Sequence, residues 1–131
     1  MRVIDSSALI KYFTRESNWD KVKELMSEGV ISLDLAIKEL ANALWKKTLK
    51  NEIDLGIAVE ILKDLIENKP ILIEHQENYL IEALDIAIKH RITIYDALFI
   101  ALAKKKSMEL ITSDETQARV AQTNGVRVII V

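Results

Sequence analysis

Four acidic residues fall where a strand has just ended or a helix has just begun: Asp5 in "VIDSSALI", Glu39 in "KELANALWK", Asp96 in "TIYDALFIALA" and Asp114 in "LITSDE". Each taken singly has an ordinary use, because Asp and Glu favour helix N-termini through capping and the helix dipole. Thr93-x-x-Asp96 resembles a capping box with Asp in place of the usual Glu or Gln, and Asp5 and Asp114 precede helical patterns they could cap. Together the four can do more. Carboxylates within a few ångströms raise one another's pKa unless a cation sits among them, and a divalent ion supplies that charge. Oxygen ligands without cysteine or a histidine pattern suit Mg²⁺ or Mn²⁺. Such a site binds phosphate oxygens, deprotonates water and stabilises a leaving oxygen, which is the chemistry of phosphodiester hydrolysis.

For acids so far apart in sequence to meet, the fold must carry their segments to one edge. Strand-like runs occupy residues 2–4, 30–33, 71–73, 109–112 and 127–131; helical patterns occupy 7–13, 19–27, 35–50, 55–67, 78–90, 93–105 and 115–123. Strands separated by helices predict an α/β three-layer sandwich, with a mostly parallel central sheet flanked by helices and right-handed crossovers. In such sheets the functional crevice lies beyond the carboxyl ends of the strands. Asp5 and Asp114 directly follow strands, so both emerge on that side.

The totals allow this architecture. The 131 residues match one domain, and with half of them hydrophobic, three Gly and one Pro they describe a helix-rich chain with short connections. A net charge of -2 gives no overall attraction for a polyanion, so nucleic acid must be met by a local basic patch or a bound cation. The absence of cysteine excludes disulfides and thiolate metal sites. No apolar run reaches the ~20 residues of a membrane span and Asp5 interrupts the first one, so a cytoplasmic protein without membrane partners is expected.

The quoted segments, in that order and spacing, resemble the PIN-domain family, and within it the small ribonuclease toxins of VapC type. The resemblance spans the whole chain and implies a single PIN-like nuclease domain over residues 1–131: a metal-dependent endoribonuclease using Mg²⁺ or Mn²⁺, acting on RNA, blocked by a cognate antitoxin protein and forming a homodimer. It implies that Asp5, Glu39 and Asp96 are metal ligands or water-activating acids, that Asp114 supports a second metal, and that Ser7 and Thr112 position the pocket by hydrogen bonding. Relatives often carry a proline before the glutamate; here the segment reads "VISLDLAIKEL", which leaves Asp34 as an extra acid, read as a helix cap.

Several further residues have both a structural and a functional reading. Lys46 follows Glu39 by seven residues, on nearly the same helix face about 10 Å along, and is a candidate phosphate contact; Lys47, Lys11 and Arg15 are weaker ones. Lys104–Lys106 ends the helix that begins near Asp96, about 15 Å away, and reads as a solubilising terminus. His75 and His90 lack metal-ligand spacing. Trp45 and Phe99 fall on apolar stripes and read as core or dimer-interface residues. The 55–67 helix carries more apolar surface than one face needs, fitting a partner surface or a two-sided core contact. Rival functions are a housekeeping RNA-processing PIN nuclease, a non-catalytic PIN-like interaction module, and a haloacid-dehalogenase-type phosphohydrolase, whose second Asp would stand where Ser7 does.

Overall fold

The computed structural model describes all residues, Met1–Val131. Five strands form one sheet: β1 (Arg2–Ile4), β2 (Val30–Leu33), β3 (Leu72–Glu74), β4 (Leu110–Thr112) and β5 (Val128–Ile130), in the order β3-β2-β1-β4-β5 and parallel throughout. Seven α-helices connect them: α1 (Ser6–Phe13), α2 (Trp19–Ser27), α3 (Leu35–Leu49), α4 (Leu55–Lys63), α5 (Leu80–His90), α6 (Ile94–Lys106) and α7 (Glu115–Thr123). Right-handed crossovers place α1 to α4 on one face of the sheet and α5 to α7 on the other.

The order reverses direction at β1, which pairs with β2 through Val3↔Ile31 and with β4 through Ile4↔Ile111. That switch point is where an open parallel sheet leaves a crevice at its carboxyl edge. Its three central strands, β2, β1 and β4, are buried on both faces, so they read as apolar runs, and Val3, Ile4, Leu33, Leu110 and Ile111 have no exposed surface. The one polar interruption in β2, Ser32, is fully buried and donates a 2.6 Å hydrogen bond to the Ile4 carbonyl.

Helix α6 is the central support of the second face. Every residue from 97 to 103 is buried, because α6 lies between the sheet and α5. Phe99 is core, as its stripe indicated, but Trp45 is 56 % exposed and belongs to no core.

Several bounds differ by a residue from those expected, and three differences have a clear physical reason. The third strand is Leu72–Glu74 rather than 71–73, because pairing with Ile31, Ser32 and Leu33 sets its register. The 55–67 helix is α only to Lys63, continues as a π-helical turn over Asp64–Asn68, and stops at Lys69, whose φ of 48° lies directly before Pro70. The 78–90 helix opens as a 3₁₀ turn over Gln76–Tyr79 before α5 begins.

Candidate active site at the carboxyl edge of the sheet

Asp5 leaves the end of β1 in extended conformation and caps α1, its Oδ1 accepting the Ala8 amide at 3.0 Å and the Ser7 hydroxyl at 2.7 Å. Asp114 does the same after β4, capping α7 by accepting the Gln117 amide at 3.0 Å. Two neighbouring parallel strands thus each end in an aspartate at a helix start. The hydroxyls of Ser7 and Thr112 meet at 3.2 Å between them, and the amides of Ser113 and Asp114 donate to Ser7 Oγ and Thr112 Oγ1 respectively, each at 3.0 Å.

Glu39 and Asp96 arrive from opposite faces of the sheet, one turn into α3 and within the first turn of α6 respectively. Ser6 donates a 2.6 Å hydrogen bond to Glu39 Oε1. Thr93 caps α6 by accepting the Asp96 amide at 3.3 Å, half of the anticipated capping box. Gln117, 3 % exposed, donates from Nε2 to the Asp96 carbonyl at 3.1 Å and so ties the start of α6 to that of α7.

The four acids repel one another in a chain. Burial raises the Glu39 pKa, against the Ser6 hydrogen bond, and the Asp96 charge raises it further. Burial likewise raises that of Asp96, with Asp114 adding to it. Asp5 is 1 % exposed, and burial pushes its carboxyl up to about 6 against the pull of the Thr112 and Ser7 hydroxyls and the Ala8 amide, with Asp114 again raising it. Sequence-distant acids are thus close enough to feel each other at one edge.

One atom here lacks a partner. Asp5 Oδ2 is buried and accepts no hydrogen bond. An unpaired buried carboxylate oxygen is costly unless an additional donor or a cation meets it. No group of three His, Asp or Glu side chains is arranged to hold an ion by itself. This donor set is compatible with Mg²⁺, which keeps several waters and takes only one or two carboxylates.

Residues 2–122 match the family model of the PIN domain. The chain belongs to the PIN domain family. A ribonuclease VapC3 from Pyrobaculum aerophilum is 32 % identical to it over 119 residues, 88 % of this chain and 91 % of that protein. An exonuclease VapC9 from the same organism is 29 % identical over 94 % of this chain and 86 % of its own length. The crystal structure of PAE2754 from Pyrobaculum aerophilum superposes with a TM-score of 0.74 at 26 % identity, covering 97 % of this chain and 82 % of that one. Membership removes the phosphohydrolase alternative, whose required acid was already replaced by Ser7.

In this PIN domain, Lys46 lies in the same groove as Glu39 and makes no ion pair. The other basic candidates have structural occupations. Lys11 donates to the Val131 carbonyl at 2.9 Å, Arg15 stacks 4.2 Å from the centre of the Trp19 ring, and Lys47 pairs with Glu52 at 3.6 Å. Lys105 and Lys106 pair with Glu82 and Glu74, so the lysine run is partly a brace between α6, α5 and β3.

The reading of Asp34 as a helix cap is corrected. It occupies the cap position of α3 but makes no cap bond there; its Oδ1 accepts the Gln76 amide at 2.9 Å and its Oδ2 lies 3.4 Å from His75. The helical backbone of Asp34 points its carboxylate across to the turn after β3, which it caps instead. Two supporting residues went unread in the sequence. Ser6 was overshadowed by Ser7, and Gln117 stands three residues after Asp114 at capping-box spacing, the signal that could have marked it.

Proposed function

We propose that this PIN domain, acting as a single unit over residues 1–131, is a Mg²⁺- or Mn²⁺-dependent endoribonuclease and the toxin of a toxin–antitoxin pair. The observation that carries the proposal is the unpartnered, buried Oδ2 of Asp5 at the end of a chain of mutually repelling carboxylates. A divalent ion at this edge would supply charge for those acids, bind phosphate oxygens and lower the pKa of water. Asp5 would be its primary ligand, with Asp114, whose charge Asp5 feels, the acid placed to share it.

The chain's own groups do the rest. Ser7 and Thr112 hold Asp5 in one orientation, which leaves Oδ2 available. Ser6 occupies one oxygen of Glu39 and leaves the other to accept a proton from attacking water, a task that its raised proton affinity suits. Lys46 meets a phosphate along the groove. A merely structural module would gain stability by losing this repulsion, which argues against the non-catalytic alternative.

The relatives' VapC names support an antitoxin partner, and two apolar surfaces suit protein partners. Leu55, Ile57 and Val59 are exposed on α4, and Leu80, Ile81, Leu84 and Ile88 on α5, a stripe fit for the expected homodimer. The deciding experiment is cleavage of labelled RNA. Mg²⁺ or Mn²⁺ should activate it, EDTA should stop it and Asp5→Asn should abolish it; cleavage that persists in both conditions would refute the proposal.

A further inference from the structure

Beside Glu39, the α3 side of the acidic edge opens into a groove of about 490 Å³ whose lining includes Ile10, Lys38, Asn42, Lys46 and Tyr95. Tyr95 is the anomaly. Helix α6 buries each residue from 97 to 103, yet it leaves Tyr95 55 % exposed immediately before Asp96. The ring has no aromatic or cationic partner, and its hydroxyl makes no hydrogen bond. Burial in the core therefore does not account for it.

The α3 part of the lining carries matching chemistry. Lys38 and Lys46 are exposed and neither joins an ion pair, unlike Lys47, Lys89, Lys105 and Lys106. They lie eight residues apart on α3, about 12 Å along its axis, with Glu39 and Asn42 between them. In a chain of net charge -2, two unneutralised cations beside an acidic pocket form a local attraction for a polyanion that the whole molecule lacks. An aromatic ring and lysines lining one open groove are the parts by which single-stranded nucleic acid is held, bases stacked on the ring and phosphates on the cations.

We propose that Tyr95 is a base-stacking platform and that Lys38, Asn42 and Lys46 form the α3 side of a track that leads single-stranded RNA to the acidic edge. The track rests on the nuclease reading and assigns this chain's own residues to holding the strand. A duplex buries its bases, so it cannot stack on Tyr95.

The test uses the full chain and a fluorescein-labelled, unstructured RNA, with anisotropy in EDTA for binding and Mn²⁺ for cleavage. Tyr95→Ala should weaken binding about tenfold and raise KM with kcat nearly unchanged, while Tyr95→Phe, which keeps the ring, stays close to wild type. Lys38→Gln and Lys46→Gln should each lower the slope of log K against log salt by about 0.7. Thermal melts should move little, because all three residues are exposed. If the wild type cleaves RNA and Tyr95→Ala binds and cleaves equally well, or cleaves duplex as readily as single strand, the track is wrong and the nuclease stands. If the wild type neither binds nor cleaves RNA, both fall.

Discussion

Ser6 and Glu39, thirty-three positions apart, are joined by a 2.6 Å hydrogen bond from Ser6 Oγ to Glu39 Oε1. The adjacent Ser7 turns the other way, to Asp5 and Thr112. Two consecutive hydroxyls at the start of α1 therefore serve different acids, one reaching across to α3 and the other holding the end of β1. The Ser6 bond favours ionised Glu39 against the burial that disfavours it. Ser6→Ala should accordingly raise the Glu39 pKa further. Since a general base works only when deprotonated, the acid limb of the pH–rate profile should move to higher pH, with activity on that limb falling by up to about tenfold and the plateau above it kept. An unshifted limb would mean that Glu39 accepts no proton in the reaction.

The pKa of about 6 at Asp5 makes a stability prediction for the metal-free protein. The folded state binds the proton more tightly than the unfolded chain, where Asp keeps its ordinary value of 3.8. Stability is therefore greatest below the unfolded value and declines as pH rises through about 6, by about 3 kcal/mol from this residue. Urea melts in EDTA from pH 4 to pH 7 should show the decline. Asp5→Asn should remove most of it and be the more stable protein at pH 7, a sign opposite to that of most buried substitutions. A wild type that instead gains stability over this range would show Asp5 to be ionised without penalty.

The layout of the fold was readable because its signals are local. Apolar runs set β1 and β2 at their observed bounds, and α2 and α7 likewise match their patterns. What went unread depends on tertiary direction. The strand after Pro70 slid by one residue because pairing with β2, not its own sequence, fixes it. Asp34 looked like a cap because sequence gives position but not the χ angles that swing its carboxylate to Gln76. Trp45 reads from the sequence as core or dimer interface because periodicity marks an apolar stripe without saying what covers it, and its exposure removes only the first of these. The acids were legible as a set through the ordered motifs, and Gln117 had its capping-box spacing from Asp114, whereas Ser6 and Tyr95 acquire meaning only from what lies near them in space.

A cation that satisfies Asp5 Oδ2 removes a folded-state penalty, so binding should register in stability as well as in activity. At a metal concentration a hundred times Kd the gain is about 2.7 kcal/mol, enough to raise Tm by several degrees for a chain of this length. Differential scanning fluorimetry with Mn²⁺ should show the rise, EDTA should reverse it, and Asp5→Asn should abolish it. A rise equal in Asp5→Asn and wild type would place the ion elsewhere.

The two Pyrobaculum relatives carry different nuclease names, one a ribonuclease and the other an exonuclease, so the mode of attack needs its own test. An exonuclease must recognise a strand end, which calls for a closed pocket or a group that reads a terminus. Here the acids lie beside an open groove that continues past Glu39 to Lys46, so a strand has room to run through rather than stop. A covalently closed circular RNA should therefore be linearised at a rate similar to that for its linear counterpart. Degradation of the linear form alone would assign the enzyme to the exonucleases and place an end-binding element near Asp96 or Asp114.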